Sequence, residues 1–198
     1  MTIVPKRLGV KFSLKRATTL QPDDILPIFQ RWIQEHRVEG MLIDVVDYKH
    51  VPDGPGVVLI ADEADYAYDL TDGKTGLNYI RKRDLPVDLE AALRLCFSRA
   101  LAAAGALETE APGDLAFDYC SAKISFLDRL QYRNLSAACE NTRAPVTEIL
   151  SEVFGSPVAV SRAYDDPRSI FALECRVEGG DVSAEGLLKR LQRAGQLS

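Results

Sequence analysis

Hydrophobic spacing in this chain switches between a period of two and a period of three to four, and it does so in the same order twice. Residues 9–16 alternate, with Val10, Phe12 and Leu14 on one side and Lys11, Ser13 and Lys15 on the other. That is the pattern of a half-buried strand. Pro22 then suits the first position of a helix, with Asp23 and Asp24 near its positive end. Ile25, Ile28, Phe29, Trp32 and Ile33 recur at three and four residues, so this helix buries one stripe and ends near residues 38–40.

Met41 to Val46 and Val57 to Ile60 are almost continuously apolar, which predicts central strands covered on both faces. Asp62 to Asp65 reads as a tight turn between two short strands, in preference to one long strand with a bulge. Thr71 to Gly76 reads as a second turn, because Asp72-Gly73 supplies the positive φ angles of a hairpin. Leu77, Tyr79 and Arg81 line one face of the next strand. After Pro86 a helix places Leu89, Ala92, Leu93, Cys96, Phe97, Ala100, Leu101 and Ala104 on one face.

Glu108 to Asp114 contains Pro112 and Gly113 and marks an internal boundary. Beyond it the order repeats. Leu115, Phe117 and Tyr119 alternate, and the opposite parity of Ile124 and Phe126 predicts a bulge or turn at 120–123. Leu135 to Phe154 is helical in pattern, with Pro145 expected to break it. Val158, Val160 and Tyr164 form a strand, Asp165 to Arg168 a turn, and Phe171, Leu173, Cys175 and Val177 one face of a last strand. Gly179-Gly180 ends that strand, and Ser183 caps a final helix with Leu187, Leu188 and Leu191 inward.

The expected fold is α+β: a mixed, mainly antiparallel sheet with helices on one face, in ferredoxin-like strand-helix-strand-strand order. Two similar halves, 1–108 and 114–198, form one unit. Their sequences do not align with each other.

With 46% hydrophobic and 27% charged residues, the 198-residue chain can build a core. Its net charge of −5 argues against general nucleic-acid or membrane-surface binding. No apolar run is long enough for a signal peptide or a membrane span. The four cysteines form no CxxC pair and read as reduced thiols of a cytoplasmic protein.

Two short stretches resemble nucleotide-hydrolysing motifs. Val57-Val-Leu-Ile-Ala-Asp-Glu-Ala-Asp65 resembles the strand-plus-acid motif of DEAD-box helicases, and Gly73-Lys-Thr75 resembles the end of a P-loop. The P-loop needs a glycine five residues before its Gly-Lys, whereas position 68 is Tyr, and its Lys-Thr opens a helix. The order of the two motifs is also reversed. There is no GxSxG and no GxGxxG. The two histidines are His36, which reads as a cation at a helix end, and His50. The strands also lack the aromatic and basic stripe of an RNA-recognition domain. Asp53-Gly-Pro-Gly56 reads as a rigid turn.

The net charge conceals segregation. Residues 1–16 hold five bases and no acid, residues 39–72 hold nine acids against Lys49, and residues 74–83 hold four bases. Three functional expectations follow. The first is a non-enzymatic accessory or interaction domain that engages another protein or a second copy of itself. Its surface would be Tyr48, Tyr66, Tyr68, Arg81, Lys82 and Arg83, with no cofactor. The second is a metal-assisted enzyme acting on a small polar substrate. A divalent metal would be held by Asp44, Asp47, His50 and Asp62 where two strands meet, with Arg81 or Lys82 as the alternative partner of a buried Asp44. The third is a small ligand held in a cleft between the halves.

Overall fold

Among the described residues, eight strands and four α-helices account for the alternating periods. The computed structural model describes residues 4–178 and 182–194. In chain order the elements are β1 (Leu8–Ser13), α1 (Pro22–Glu35), β2 (Leu42–Asp47), β3 (Val57–Ala61), β4 (Ala64–Asp69), β5 (Gly76–Arg81) and α2 (Leu89–Glu110). The second half adds β6 (Ser121–Phe126), α3 (Ser136–Phe154), β7 (Val158–Arg162), β8 (Phe171–Val177) and α4 (Ala184–Ala194).

The strands form one sheet in the order β2-β3-β4-β5-β1-β6-β8-β7. Every ladder is antiparallel, so the sheet is not mixed. The reason lies in the connections. Each half starts at the sheet centre, crosses by a helix to the outer edge, and then returns by hairpins that fill the gap. The strands joined by a crossover therefore never become neighbours. The first half contributes five strands and the second three, so they are not equal copies of one strand-helix-strand-strand-helix-strand unit. The β1–β6 ladder joins them.

The helices cover one face of the sheet. There Leu8, Val10 and Phe12 are buried, together with all eight residues expected on the inner face of α2. Phe12 meets Phe97 edge-on at 5.9 Å, and Phe97 meets Phe154 of α3 at 6.1 Å. Asp88 caps α2 by accepting from Ala91 N at 2.8 Å. Gly186 N donates to Ser183 Oγ at 3.2 Å at the start of α4. The expected strand end at Gly179-Gly180 lies outside the described residues. The helix ending near residues 38–40 stops earlier, with His36 in the left-handed conformation at its C-cap.

Three sequence expectations are corrected here. Met41–Val46 is not central: β2 is an edge strand, with Ile43 56% exposed, and Asp44 in its middle is the residue that needs water. Residues 115–119 make no ladder, only isolated bridges from Phe117 to Leu14 and from Leu115 to Pro112. Glu108 holds them instead, accepting from Phe117 N at 2.8 Å and Tyr119 OH at 2.9 Å, and the turn falls just before Ser121. Pro145 does not interrupt α3. Its missing N–H orphans the carbonyl of Asn141, which is exposed and can meet water.

Candidate functional site

Strand alternation gives the sheet a second face, which no helix covers among the described residues. One row of directly paired residues crosses that face strand by strand: Val46, Val58, Ala67, Asn78, Lys11, Lys123, Glu174 and Ser161. The row is apolar on β2–β4, polar at β5 and charged from β1 across the seam. Two lysines therefore lie side by side at the sheet centre, where like charges repel.

The β4–β5 turn compensates them. Its Asp72 and Gly73 both have φ of 63°, as an Asp-Gly hairpin turn requires. This conformation folds Thr71 and Asp72 over the sheet. Lys11, 2% exposed, pairs with Asp69 at 3.1 Å and donates to the carbonyl of Thr71 at 3.1 Å. Asp69 also accepts from Thr71 N and Oγ1, both at 3.0 Å, and from Asn78 Nδ2 at 3.3 Å. Desolvation nonetheless holds the Lys11 pKa below its usual value, against the pull of Asp69.

Lys123 pairs with Asp72 at 2.5 Å and donates to Tyr164 Oη at 2.8 Å, while Tyr164 OH donates to the same Asp72 carboxylate at 2.5 Å. Burial alone would raise the Asp72 pKa, but these two donors hold it below the usual carboxylate range. Asp72 N in turn donates to Asp53 at 2.7 Å. A residue of the first half is thus tied to β6 and to the β7–β8 loop of the second.

This tie separates two cavities. One, of about 720 Å³, lies over the seam and the second half. Six bases surround it (Lys11, Lys15, Arg16, Lys74, Lys123 and Arg176) against Asp72, Asp118 and Glu174. The other, of about 560 Å³, lies over the first half. Its floor is Val58, Ile60, Ala67 and Ile80, its walls include Tyr48, Pro55, Leu127, Tyr164 and Ile170, and Asp53, Asp65, Asp69 and Lys82 stand at its polar side. Asn78 lines this chamber, and its Oδ1 is a buried acceptor with no partner among the described residues. Asp72 and Lys123 line both cavities. Each volume lies in the range of about 300–1,000 Å³ usual for small-molecule sites.

The sequence-predicted residues fall elsewhere. Asp44 and Asp47 project to opposite faces of β2. Asp44 is exposed and accepts from Val45 N at 2.8 Å, so it needs neither Arg81 nor Lys82. Asp47 pairs with Lys49 at 3.2 Å, and backbone donation from Lys49 holds its pKa low. His50 is exposed, and its ring stacks on Tyr48 at 6.4 Å. Asp62 sits at the other end of the β2–β3 ladder and pairs with Arg83. The four do not converge. Among the described residues, no group of three or more His, Cys, Asp or Glu is arranged to hold a metal ion.

Of the expected partner surface, Tyr66 and Tyr68 are 1% and 0% exposed and belong to the core, with Tyr66 OH donating to the Glu39 carbonyl at 2.7 Å. Tyr48 is half-buried in the wall of the second cavity. Arg81 Nε donates to the carbonyl of Arg83 at 2.7 Å. Lys82 pairs with Asp65 at 2.6 Å.

The residues that sequence reasoning missed are Lys11, Asp69, Asn78 and Lys123. Part of the signal was present, since Lys11 lies between the buried strand residues Val10 and Phe12, and Asp69 closes β4 directly after the buried Tyr68. Comparison with protein-family models and with curated proteins gives no match. No helix among the described residues is long and apolar enough to cross a membrane.

Proposed function

We propose that the protein binds a small amphipathic anion in the cleft at the seam of the two halves. Its acid group would rest among the bases of the larger cavity and its apolar body on the Val58–Ile80 floor of the other. The observation that carries this reading is that a cavity ringed by six bases and a cavity with an aliphatic floor share Lys123 and Asp72 as a common wall. Lys123 uses two of its three donors on Asp72 and Tyr164, which leaves one for a ligand oxygen. Asn78 Oδ1 would take a hydroxyl or amide proton of the ligand body. The lysines supply a field without any metal, so the reading invokes binding and no reaction. Four cysteines free of disulfides suit a reducing compartment.

Calorimetry with octanoate tests the proposal, with octanol as the uncharged control. Saturable binding of octanoate, at least ten-fold tighter than octanol, is expected. Arg176→Gln weakens it several-fold, and Ala67→Trp fills the apolar chamber and abolishes it. Equal binding of acid and alcohol, or indifference to both substitutions, overturns the proposal.

A second reading, association with another protein or a second copy, has one observation in its favour. Edge strand β2 exposes Ile43 (56%), and Met41 (66%) just before it, beside an unpaired backbone edge. Sedimentation would then show a concentration-dependent oligomer that Ile43→Lys dissolves.

A further inference from the structure

The N-terminus of α3 differs from the other helix starts. α1 has Asp23 and Asp24 in its first turn, α2 is capped by the Asp88 carboxylate, and Ser183 Oγ accepts from the first turn of α4. α3 begins after Leu135, whose side chain carries no oxygen, and its first turn holds no acid. Its leading N–H groups are left without a side-chain cap, at the positive end of a 19-residue helix.

A cavity of about 500 Å³ opens at this point, lined by Arg129, Arg133, Arg168, Asn134 and Leu135 among others. Arg129 is anchored on the Arg168 carbonyl at 2.7 Å, and Arg168 pairs with Asp166 at 3.2 Å. Asn134 is 2% exposed. Its amide nitrogen donates to the carbonyls of Tyr164 at 2.9 Å and Asp166 at 2.8 Å, which fixes the orientation of the amide. Asn134 Oδ1 is therefore buried as an acceptor with no protein partner. A buried polar atom left unmade is expensive, so this oxygen calls for a donor.

Arginines and a helix N-terminus favour an anion, whereas Asn134 Oδ1 repels a bare oxygen. An oxyanion that keeps one proton satisfies both. A phosphomonoester near its second pKa of about 6 is such a group, because its P–O–H can donate while its other oxygens accept. We infer that this cavity is a phosphomonoester site that selects phosphate over sulfate. It is separate from the seam cleft and independent of the function proposed for it.

The test is calorimetry at pH 6 with phenyl phosphate and phenyl sulfate, which share a body but differ in the proton. Inorganic phosphate is a third arm that separates free phosphate from an ester. Phenyl phosphate is expected to bind at least ten-fold tighter than phenyl sulfate. If inorganic phosphate binds as tightly, the ligand is free phosphate. Arg133→Met removes an arginine that holds no other group, and should cost ten-fold or more. Leu135→Asp supplies the missing cap from the protein itself, so it should raise Tm while abolishing phosphate binding. Octanoate binding at the seam should be unchanged in both variants. Absence of saturable phenyl phosphate binding, equal affinity for the two esters, or full binding by Leu135→Asp overturns the inference.

Discussion

Lys11 and Lys123 stand directly opposite one another across the β1–β6 ladder, two ammonium groups at the centre of the sheet. Each is matched by a carboxylate from the end of one hairpin, Asp69 for Lys11 and Asp72 for Lys123. The hairpin tip thus neutralises the seam between the halves.

Removing one member of the deeper pair should be far worse than removing both. Lys11→Met leaves Asp69 buried and unpaired, at a cost of about 3–5 kcal/mol. Lys11→Met with Asp69→Leu should lose less than the single variant. Urea unfolding of the two variants decides the matter, and a double variant no more stable than the single one would refute the pairing.

Asp72 should mark the acid limb of the stability curve. Its folded pKa lies below the ordinary 3.8, so the folded state binds fewer protons than the unfolded one around that value. Its contribution is complete above 3.8 and is lost as pH falls through the lowered folded value. Asp72→Asn should therefore flatten the fall in Tm below pH 4 while lowering Tm at pH 7. Parallel curves for the two proteins would show that Asp72 has no such role.

Gly76 opens β5 where the chains approach closely. A Cβ built there would lie 2.3 Å from the carbonyl oxygen of Phe12. Gly76→Ala must push β5 off β1 and should destabilise the protein by at least about 1–3 kcal/mol, the usual range for overpacking. Thermal unfolding measures it, and an unchanged Tm would contradict the close approach.

Thiol labelling should sort the cysteines by burial. Burial pushes the Cys96 and Cys175 thiols up to about 12, so almost no thiolate exists at neutral pH. Iodoacetamide should modify the half-buried Cys120 and Cys139 first and reach Cys96 and Cys175 only on unfolding, as peptide mass mapping would reveal.

Much of the fold was legible because periodicity reports burial directly. The inner face of α2 was readable residue by residue, as were the positive φ angles at Asp72 and Gly73 and a turn after Ala61, although that turn spans only Asp62 and Glu63 rather than Asp62–Asp65. The edge position of β2 was not, because an apolar run looks alike at a sheet centre and at a sheet edge; Asp44 was the clue. The site was illegible for a different reason. Blocks of like charge along the chain suggested segregated surfaces, but antiparallel pairing interleaves them. Lys11 from the basic start meets Asp69, Lys82 meets Asp65, and Arg83 meets Asp62. Nor could Asp47 and Asp62 converge, since they lie at opposite ends of the β2–β3 ladder.

The β1–β6 ladder also has a consequence for biosynthesis. Its paired residues lie more than a hundred positions apart, so β1 can join β5 long before β6 has been translated. During that interval β1 is the outermost strand of an incomplete sheet, the situation in which nascent chains stick to each other. Lys11 and Gly9 then face solvent, one a charge and the other too small to be sticky. The lysine that ends up desolvated at the seam begins as the guard of a temporary border.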